Sequence, residues 1–403
     1  MADEQNGIWI EAGKAQLDEM IMLRRAIHAE PELGLFTPRT TDKAKAALAG
    51  LPLEIYEGES TSGFVAVLRG PANGRRVLLR GDMDALPLVE ETGLAFASKT
   101  HGAMHACGHD THVAMLAGAA RALCAQRDRL AGTVMFMFQP GEEGHHGARF
   151  MLDDGLIDPL PDAAFALHIS PKYPTGQFAG KGGPLLAAAD RLLVTVVGQG
   201  GHASQPHDAN DPIPIACEIV LALQSMITRR VPVFDPAVLT VARITGGTTN
   251  NVIPEKVEIE GTIRSFSQST RAIVHEGLKR VATNVAAAHK ARAEITIIPG
   301  FPVTLCDDRA AGLAQKTAEL LFGAESWLSL TAPVMGAEDF SYVLQKVPGA
   351  MVFLGAAPAG SDCESCCGLH SNRMMIEESV MARGAAMHCA FAEAFLNGGF
   401  DLI

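Results

Sequence analysis

Residues that could do chemistry are concentrated in one nine-residue stretch, from Met104 to His112. It holds one thiol, Cys107, and three imidazoles, at positions 105, 109 and 112. Thiolates and imidazoles bind zinc and related divalent ions when they converge on one point. Cys107 and His109 are too close together for a zinc finger, but Gly108 between them lets the backbone fold back so that both side chains face one point. The stretch therefore predicts a metal site.

A structural alternative exists for each of these side chains taken singly. A lone cysteine or histidine is more often a buried structural residue than a metal ligand. However, the stretch runs into residues 109–125, whose apolar pattern predicts a helix. Four ligand-type residues together, at the start of a helix, favour a site over four independent core residues.

Acidic and imidazole side chains also follow apolar runs that predict buried strands. The runs are residues 63–68, 77–79, 133–138 and 163–167. Asp82 and Asp84 follow the second run, Glu142 and Glu143 follow the third, and His168 follows the fourth. In an open α/β sheet the ligand crevice lies at the carboxyl ends of the strands, so we expect these side chains to converge there.

The adjacent carboxylates of Glu142 and Glu143 suit a divided task. At a turn, one can point toward a metal ion and the other toward a water molecule that the ion activates. The second carboxylate would take a proton from this water and later deliver it to a leaving amine. Structural alternatives are a solvated acidic turn for the two glutamates, capping for Asp82 and Asp84, and a core position for His168.

Composition and charge argue against several classes of function. The chain has 403 residues, a formal net charge of -12 and no run of basic residues, so it does not have the basic patch that nucleic acids and anionic membranes attract. We find no stretch of about 18 apolar residues and no secretory leader, and therefore predict a cytoplasmic protein without membrane partners. The 8 cysteines do not follow the pattern of a disulfide-rich secreted domain, which indicates reduced thiols. The role of Cys363, Cys366 and Cys367 stays open.

The order of predicted elements indicates an α/β fold with two domains. Helices at 9–29 and 40–48 precede alternating strands and helices, the pattern of a mostly parallel sheet. From residue 188 to residue 300 the pattern changes to four strands and two amphipathic helices, bounded by glycine and proline clusters. We predict a catalytic domain at 1–187 and 301–403, with a mostly parallel central sheet flanked by helices. An inserted α+β lid or dimerisation domain occupies 188–300.

Five motifs, taken together, resemble those of a known enzyme family. In chain order they are Gly81-Asp82-Met83-Asp84-Ala85-Leu86-Pro87, Met104-His105-Ala106-Cys107-Gly108-His109-Asp110, Phe138-Gln139-Pro140-Gly141-Glu142-Glu143-Gly144, Leu167-His168 and Leu369-His370-Ser371. The series is similar to that of the metal-dependent amidohydrolases typified by hippurate hydrolase and the plant auxin-conjugate hydrolases, a branch of the aminoacylase and carboxypeptidase superfamily. The resemblance runs from about residue 20 to the C-terminus and includes the insert.

The resemblance implies a site for two divalent metal ions. Its ligands would be Cys107, His109, Glu143, His168 and His370. Glu142 would be the general base and acid that activates the attacking water, and Asp84 would orient a histidine of the site. A thiolate and three imidazoles suit zinc, manganese, nickel or cobalt better than magnesium. Asp82 stands where related exopeptidases carry a metal-binding histidine, so we do not expect it to be a ligand.

In the insert, the resemblance assigns residues to the substrate. His202 would stabilise the oxyanion of the tetrahedral intermediate, and in relatives this histidine often reaches across a dimer, which predicts a homodimer. Asn251 and Arg264 would bind the substrate's carboxylate, for which a guanidinium is well shaped. Gly336 begins a segment, residues 336–341, that resembles another part of the family's cleft.

These observations predict a metal-dependent amidohydrolase that cleaves N-acyl amino acids or related small amide conjugates. A carboxypeptidase or dipeptidase acting on small peptides is the close alternative. Two alternatives belong to other classes: a hydrolase that uses Cys107 as its nucleophile, and a non-catalytic protein that binds a metal ion or an amino acid. Loss of activity on chelation would favour the metal-dependent enzyme over both.

Overall fold

The computed structural model describes residues 2–358, 360 and 367–402. Cys363 and Cys366 lie outside these residues, and Cys367 is an exposed free thiol. The chain divides into two compact units. The first comprises Met1–Leu185, Leu305–Ala332 and Asp339–Ile403, and the second comprises Leu186–Thr304 and Pro333–Glu338.

The segment Pro333–Glu338 belongs to the second unit, although the sequence placed it in the catalytic domain. Two backbone interactions explain this. The N–H of Ala187 donates to the carbonyl of Gly336 at 2.8 Å, and Leu186 forms a parallel bridge with Val334. The predicted site residue Gly336 therefore lies in the second unit.

The first unit begins with an alternation of helices and strands. Its helices are α1 (Ala2–Ala15), α2 (Leu17–His28), α3 (Pro38–Ala47), α4 (His109–Ala125) and α5 (Gly147–Asp153). Its strands are β1 (Glu54–Glu57), β2 (Phe64–Arg69), β3 (Arg75–Asp82), β4 (Gly132–Gln139), β5 (Ala163–Ser170), β6 (Phe178–Gly180) and β7 (Gly183–Leu186).

The second unit is an α+β structure. Its strands are β8 (Ala188–Val197), β9 (Gly201–His202), β10 (Ala237–Gly246), β11 (Val252–Ile253), β12 (Lys256–Ser265) and β13 (Arg292–Pro299), and its helices are α6 (Pro212–Arg230) and α7 (Gln268–Ala288). Four of these strands form an antiparallel sheet in the order β10-β12-β8-β13. The apolar face of each helix packs with this sheet in one core, which includes Leu192, Ile219 and Leu278.

The chain then returns to the first unit. The remaining elements are β14 (Thr304–Cys306), α8 (Asp308–Phe322), β15 (Trp327–Ser329), α9 (Ser341–Leu344), β16 (Gly349–Gly355) and α10 (Val380–Gly398). Eight strands form one sheet in the order β1-β2-β4-β3-β5-β16-β6-β15. The central strands β4, β3, β5 and β16 are parallel and almost entirely buried. This pattern is expected of a sheet covered by helices on both faces, and the predicted α/β fold with a mostly parallel sheet is confirmed.

The register of the central strands brings polar residues to one edge. Asp82, the last residue of β3, pairs with Gln139, the last residue of β4. Arg80 in β3 pairs with Ala166 in β5, which places His168 two residues further along β5, level with Asp82. The carboxyl ends of three parallel strands therefore meet where the sequence predicted the site.

The predicted single helix at 9–29 is wrong, because the structure has two helices there. α1 and α2 are separated at Gln16, and the two helices pack against different partners, α1 against α10 and α2 against α4. α1 comes very close to α10: a Cβ added to Gly13 would lie 2.2 Å from the carbonyl oxygen of Ala382. The apolar periodicity continues through the break, so the sequence pattern alone could not reveal it.

Helix α4 carries the first predicted ligand into the core. Gly108 precedes it with a φ of 84°, and a Cβ at this position would lie 2.6 Å from Ile169 Cδ1. Glycine is therefore required here both by conformation and by space. The helix that follows is buried along most of its length, so its first residue, His109, is held rigidly.

Among the described residues, α6 is the one helix long and apolar enough to cross a membrane by length and composition. The sequence analysis found no such stretch. The apolar side chains of α6 that point inward, including Ile215, Ile219 and Leu223, are buried in the core of the second unit. This buried face accounts for much of the apolar character of α6.

Candidate metal centre

The side chains predicted as metal ligands come together in the first unit. They form two groups, and within each the candidate ligand atoms lie within 4.8 Å of one another: Cys107, His109 and His168 in one, and Cys107, Glu143 and His370 in the other. A third group joins His109 and Glu143 to Glu142. The sulfur of Cys107 belongs to the first two groups. This arrangement offers places for two ions, with the predicted catalytic glutamate beside them.

Each ligand is positioned by a strand end, a helix start or a turn. His109 begins α4, His168 lies near the end of β5, and Glu143 follows β4. His370 lies in a turn with a φ of 66°, a left-handed conformation that is uncommon for a non-glycine residue. Its backbone N–H donates to the carbonyl of Ala106 at 2.8 Å. This bond ties the C-terminal ligand to the segment that carries Cys107.

The hydrogen bonds of two imidazoles leave one ring nitrogen of each available for a metal. Nδ1 of His109 donates to the backbone carbonyl of Asp84 at 2.9 Å, and Nδ1 of His168 donates to the carbonyl of Ile169 at 2.7 Å. A proton fixed on Nδ1 presents Nε2 as the metal ligand. Nε2 of His168 lies 3.4 Å from the sulfur of Cys107.

Two buried polar atoms show that the site fits positive ions. Nε2 of His109 and Oε1 of Glu143 form no hydrogen bond with any described residue. Oε1 of Glu143 lies 3.3 Å from Nε2 of His370, an ion-pair distance without hydrogen-bond geometry. Buried polar atoms normally have partners, and a thiolate, imidazole and carboxylate set suits zinc, manganese, nickel or cobalt. The residues present therefore fit divalent metal ions.

Three of the candidate ligands hold protons that an ion must displace. Burial raises the pKa of the Cys107 thiol. Burial would lower the pKa of His109, but Asp82 and Cys107 hold it well above its usual value. The neighbouring Cys107 and Glu143 raise the pKa of His370 to about 10. In the metal-free protein near neutral pH these three side chains are therefore protonated, and metal binding would release their protons.

Asp84 supports the site in a different way from the one predicted. Its carboxylate accepts the backbone N–H groups of Glu142 and Glu143, each at 3.0 Å. His109 is oriented mainly by the backbone carbonyl of Asp84, because the carboxylate Oδ1 lies 3.5 Å from Nδ1 of His109. The Asp84 side chain thus fixes the turn that carries both glutamates, while its backbone fixes the histidine.

Asp82 contacts neighbouring side chains, and one of its carboxylate oxygens lies within 4.8 Å of a ring nitrogen of His109 and of His112. It accepts hydrogen bonds from Arg80 and from Nδ1 of His112. The backbone N–H of Ile169 donates to Nε2 of His112 at 2.8 Å. Both nitrogens of His112 are therefore used, so His112 is a neutral support beside His168. Burial would raise the pKa of Asp82, but Arg80 and the neighbouring imidazoles hold it well below its usual range.

Sequence reasoning missed the buried cation at the centre of this arrangement. Arg80 is 1% exposed and contacts Asp82, Gln139 and Asp339. The one available signal was its position, as a charged residue directly after the apolar residues 77–79 and before Gly81-Asp82. Such a residue in a buried strand requires a buried anionic partner.

The residues predicted to bind the substrate lie in the second unit. His202 in β9 pairs with Val252 in β11, and the N–H of Ala203 donates to the carbonyl of Asn251 at 3.1 Å. His202 and Asn251 line one cleft of about 510 Å³. Arg264 is half-buried in β12, and burial lowers the pKa of its guanidinium. His202 and Asn251 are thus neighbours within this unit, as a shared role in binding requires.

A buried charge network lies behind the metal centre. Nδ1 of His28, in α2, donates to Asp110 at 2.8 Å, and Nε2 of His28 lies 3.2 Å from Oε1 of Glu90. Arg24 also donates to Asp110, at 3.0 Å. Burial alone would lower the pKa of His28, but Asp110 and Glu90 outweigh it and raise the pKa to about 9. His28 is therefore a buried imidazolium at neutral pH.

This network predicts that stability depends on the charge of His28. Because the pKa is raised from 6.5 to about 9 on folding, its contribution is complete below pH 6.5 and is lost as pH rises through about 9. The shift corresponds to about 3 kcal/mol. We expect the difference in thermal unfolding midpoint between the wild type and His28→Gln to shrink steadily from pH 6.5 to pH 10. His101→Gln, which removes an exposed histidine, is the control, and a constant difference for His28→Gln would contradict the prediction.

Comparison with known proteins agrees with this geometry. Residues 78–394 match Peptidase family M20/M25/M40. The chain is 37% identical to thermostable carboxypeptidase 1 of Saccharolobus solfataricus, over 94% of this chain and 96% of that protein. It is 39% identical to N-acetylcysteine deacetylase of Bacillus subtilis, over 85% of this chain and 90% of that protein.

A solved structure extends the agreement to three dimensions. The structure of the Bacillus subtilis YXEP protein, described as a dinuclear metal binding peptidase of the M20 family, has a TM-score of 0.81 and 33% sequence identity to this chain. The match covers 95% of this chain and 99% of that one. The resemblance inferred from the five motifs is confirmed, and the chain belongs to Peptidase family M20/M25/M40.

Proposed function

We propose that this protein hydrolyses the amide bond of N-acyl amino acids with Glu142 as general base and acid. The proposal rests on one observation: the adjacent residues Glu142 and Glu143 have different neighbours. Glu143 joins the ligand group of Cys107 and His370, whereas Oε2 of Glu142 lies 4.0 Å from Nε2 of His109. A buried carboxylate beside the ligand groups is well placed to accept a proton from water. The similarity to N-acetylcysteine deacetylase supports an N-acyl amino acid as the substrate.

The five predicted ligands would hold two divalent ions, with zinc, manganese, nickel and cobalt as the candidates. When bound, such ions polarise a carbonyl and lower the pKa of water. Glu142 takes the proton of the attacking water on its carboxylate and then donates it to the nitrogen of the departing amine. Asp84 holds the backbone of Glu142 throughout, so the carboxylate keeps its position during both transfers.

The second unit would bind the part of the substrate that does not react. His202 would donate a hydrogen bond to the oxyanion of the tetrahedral intermediate, and Asn251 lines the same cleft. Arg264 would pair with the free carboxylate of the amino acid product. Its half-burial supports this role, because a guanidinium that has lost part of its hydration gains more from an anionic partner.

We expect Arg264→Met to raise KM for N-acyl amino acids by about 10- to 100-fold, the range for losing a hydrogen bond to a charged group. The kcat should change little, since this contact is made in the ground state as well as in the transition state. Steady-state kinetics with an N-acyl amino acid and with its methyl ester check this. The ester has no carboxylate, so the variant and the wild type should hydrolyse it with similar KM; an equal loss on both would contradict the assignment.

Carboxypeptidase action is the second candidate function, and the similarity to thermostable carboxypeptidase 1 favours it. Both activities hydrolyse an amide bond beside a free carboxylate, so the same site could serve either. A panel that contains N-acetyl and N-benzoyl amino acids, N-blocked dipeptides and free dipeptides separates them. We expect the highest kcat/KM with a simple N-acyl amino acid. A higher value with the blocked dipeptides would assign the protein to the peptidases.

We further propose a homodimer formed through the second unit. Strand β10 lies at an edge of its sheet, where backbone groups are open to pairing with another chain. Large apolar side chains are exposed on α6 and just before β10. Leu221, in α6, is 71% exposed, and Val233 and Phe234, which precede β10, are 80% and 99% exposed. A patch of exposed large apolar side chains is typical of an interaction surface, and we propose that these residues contribute to one.

The oligomeric state can be measured by sedimentation velocity. We expect the wild type to sediment as a dimer and Phe234→Asp to shift it toward the monomer, because a carboxylate would have to be buried at the interface. Phe36→Asp, which changes an exposed phenylalanine of the first unit, is the matched control and should remain dimeric. A monomeric wild type would refute the proposal.

A further inference from the structure

The turn that carries Glu142 and Glu143, residues 140–147 and here called the catalytic turn, is held at both ends by one carboxylate. Gln139 precedes the turn and Ala148 follows it. Nε2 of Gln139 donates to Oδ1 of Asp339 at 2.7 Å, and the backbone N–H of Ala148 donates to Oδ2 of Asp339 at 2.9 Å. Asp339, which is fully buried, therefore closes the base of the catalytic turn.

The backbone of the catalytic turn needs this support. Gly141, Gly144 and His146 have φ values of 73°, 81° and 60°. Glycines leave a backbone many conformations in the absence of outside contacts, and a histidine in the left-handed region is strained. The N–H of Gly147 donates to the carbonyl of Gly141 at 3.0 Å, which closes the turn on itself. Contacts from other elements must then set where the turn, and with it Glu142, is placed.

Two carboxylates supply those contacts at different points. Asp84 accepts the N–H groups of Glu142 and Glu143 in the middle of the turn, whereas Asp339 holds its two ends. Fixing only the middle would let the turn pivot about Asp84. With both anchors in place the direction of the Glu142 side chain is determined as well as its position.

Arg80 keeps Asp339 charged and in place. Nη2 of Arg80 donates to Oδ1 of Asp339 at 3.1 Å, and Nε of Arg80 donates to Oε1 of Gln139 at 2.9 Å. The same guanidinium donates to Asp82, and all of these side chains are buried. A buried carboxylate is tolerated when a hydrogen-bonded cation pairs with it. The network thus joins the Asp82 and His112 pair beside His168 to the base of the catalytic turn.

Tyr342 makes a second contact from the same segment. Its hydroxyl lies 2.9 Å from Nδ1 of His146. Tyr342 lies in α9, three residues after Asp339. The contact stabilises the strained residue at the far end of the catalytic turn, so one short segment, residues 339–342, holds the turn at its base and at His146.

We propose that Asp339 is a positioning residue for the general base. Through the catalytic turn it holds the Glu142 carboxylate where proton transfer requires it, and Tyr342 supports the same geometry through His146. The proposal rests on the proposed role of Glu142. Asp339 contacts the backbone of Ala148 and the side chain of Gln139, and a carboxylate oxygen of Asp339 also lies within 4.8 Å of one of Glu142.

The first test is Asp339→Asn in the metal-loaded full-length protein. An amide of the same shape cannot accept hydrogen bonds on both of its terminal atoms, so one end of the turn is released. We expect kcat for an N-acyl amino acid to fall by about 10²-fold, the cost of a misplacement of about 1 Å. We compare kcat at equal metal occupancy, measured by elemental analysis, because the turn also carries the ligand Glu143. KM should stay at the wild-type value, which a general loss of structure would not allow.

A matched control and a milder variant accompany this test. Asp154→Asn changes a carboxylate at the other end of α5 that bonds to Ser60 and to the backbone of Glu59, and should keep wild-type kcat. Tyr342→Phe removes one hydroxyl and should lower kcat by a smaller factor with KM and metal content unchanged. Where Asp339→Asn does not fold, as judged by circular dichroism, Tyr342→Phe decides, and a wild-type kcat for it would overturn the proposal.

A double variant connects the effect to Glu142. If Asp339 acts through Glu142, Asp339→Asn should cost nothing further in a Glu142→Gln protein, because residues that act as a unit are not additive. A full further loss would overturn the proposal, as would a folded Asp339→Asn protein with wild-type kcat. These outcomes differ from failure of the proposed function, which would appear as an active Glu142→Gln protein.

Discussion

Glu142→Gln is expected to abolish almost all turnover while the protein keeps its metal ions. The amide has the shape of the carboxylate but cannot take a proton from water or return it to the leaving amine. Loss of a positioned general base and acid costs about 10²- to 10⁴-fold. Turnover of an N-acyl amino acid, the metal content and the melting temperature, measured on the same preparation, check this prediction.

The neighbouring glutamate provides the matched control. Glu143→Gln makes the same chemical change one residue away, in a side chain of the Cys107 and His370 ligand group. We expect it to lose metal as well as activity, and to recover part of its activity when metal is added in excess. If Glu142→Gln lost metal and Glu143→Gln kept it, the two roles would have to be exchanged. An active Glu142→Gln protein would show that Glu142 is not the general base.

Removal of the metal ions is the second change with a large expected effect. Prolonged dialysis against a chelator should abolish hydrolysis, and manganese or zinc should restore it, because the carbonyl and the water both depend on the ions. A hydrolase that uses Cys107 as its nucleophile would keep its activity without metal and lose it on alkylation. Activity that survives complete chelation, verified by elemental analysis, would therefore favour the cysteine mechanism.

Reloading of the metal-free protein should depend on pH. Burial raises the pKa of Cys107, the neighbouring Asp82 and Cys107 raise that of His109, and the neighbouring Cys107 and Glu143 raise that of His370 to about 10. An ion must displace these protons, so the apparent affinity should increase as pH rises from 6 toward 9. Competition titrations with a chelating dye at several pH values measure this. An affinity independent of pH would show that the protons are already absent from the metal-free site.

Much of the site was predictable because its parts follow a rule of parallel sheets. Asp82, Glu142 and His168 each follow an apolar run, and the carboxyl ends of parallel strands meet at one edge. Residue type and strand order were therefore enough to predict that they converge. His370 was different: a lone histidine in a turn carries no such pattern, and it was found through the resemblance of its motif to the family.

The supporting network could not be predicted, because it depends on pairings distant in sequence. Arg80 and Asp339 are far apart along the chain, and neither has a pattern that identifies the other as its partner. A second role of Asp84, beyond orienting His109, was missed for a similar reason, since only coordinates reveal that its carboxylate faces two backbone N–H groups. Almost any residue can donate a hydrogen bond from its backbone N–H, so residue types do not reveal where such bonds form.

Elements with weak apolar patterns were also missed. Strand β1 is exposed at all four positions and pairs only with β2 at the sheet edge. Its sequence, Glu-Ile-Tyr-Glu, lacks the alternation of apolar and polar residues that identifies a strand with one buried face. The four long strands and the two helices of the second unit were predicted, because each has one face in a shared core and one face in water. The two-residue strands β9 and β11 were missed.

Cys107 stands in both ligand groups of the metal centre, which has a consequence for the enzyme under oxidative stress. Sulfur is the one ligand type here that peroxides convert to sulfenic and then sulfinic acid. Oxidation of this single atom would damage both ligand groups in one event, so the enzyme would pass directly from fully active to inactive. Thiols can reduce the sulfenic acid but not the sulfinic acid. Brief exposure to peroxide would therefore inactivate the enzyme reversibly, and long exposure would inactivate it permanently.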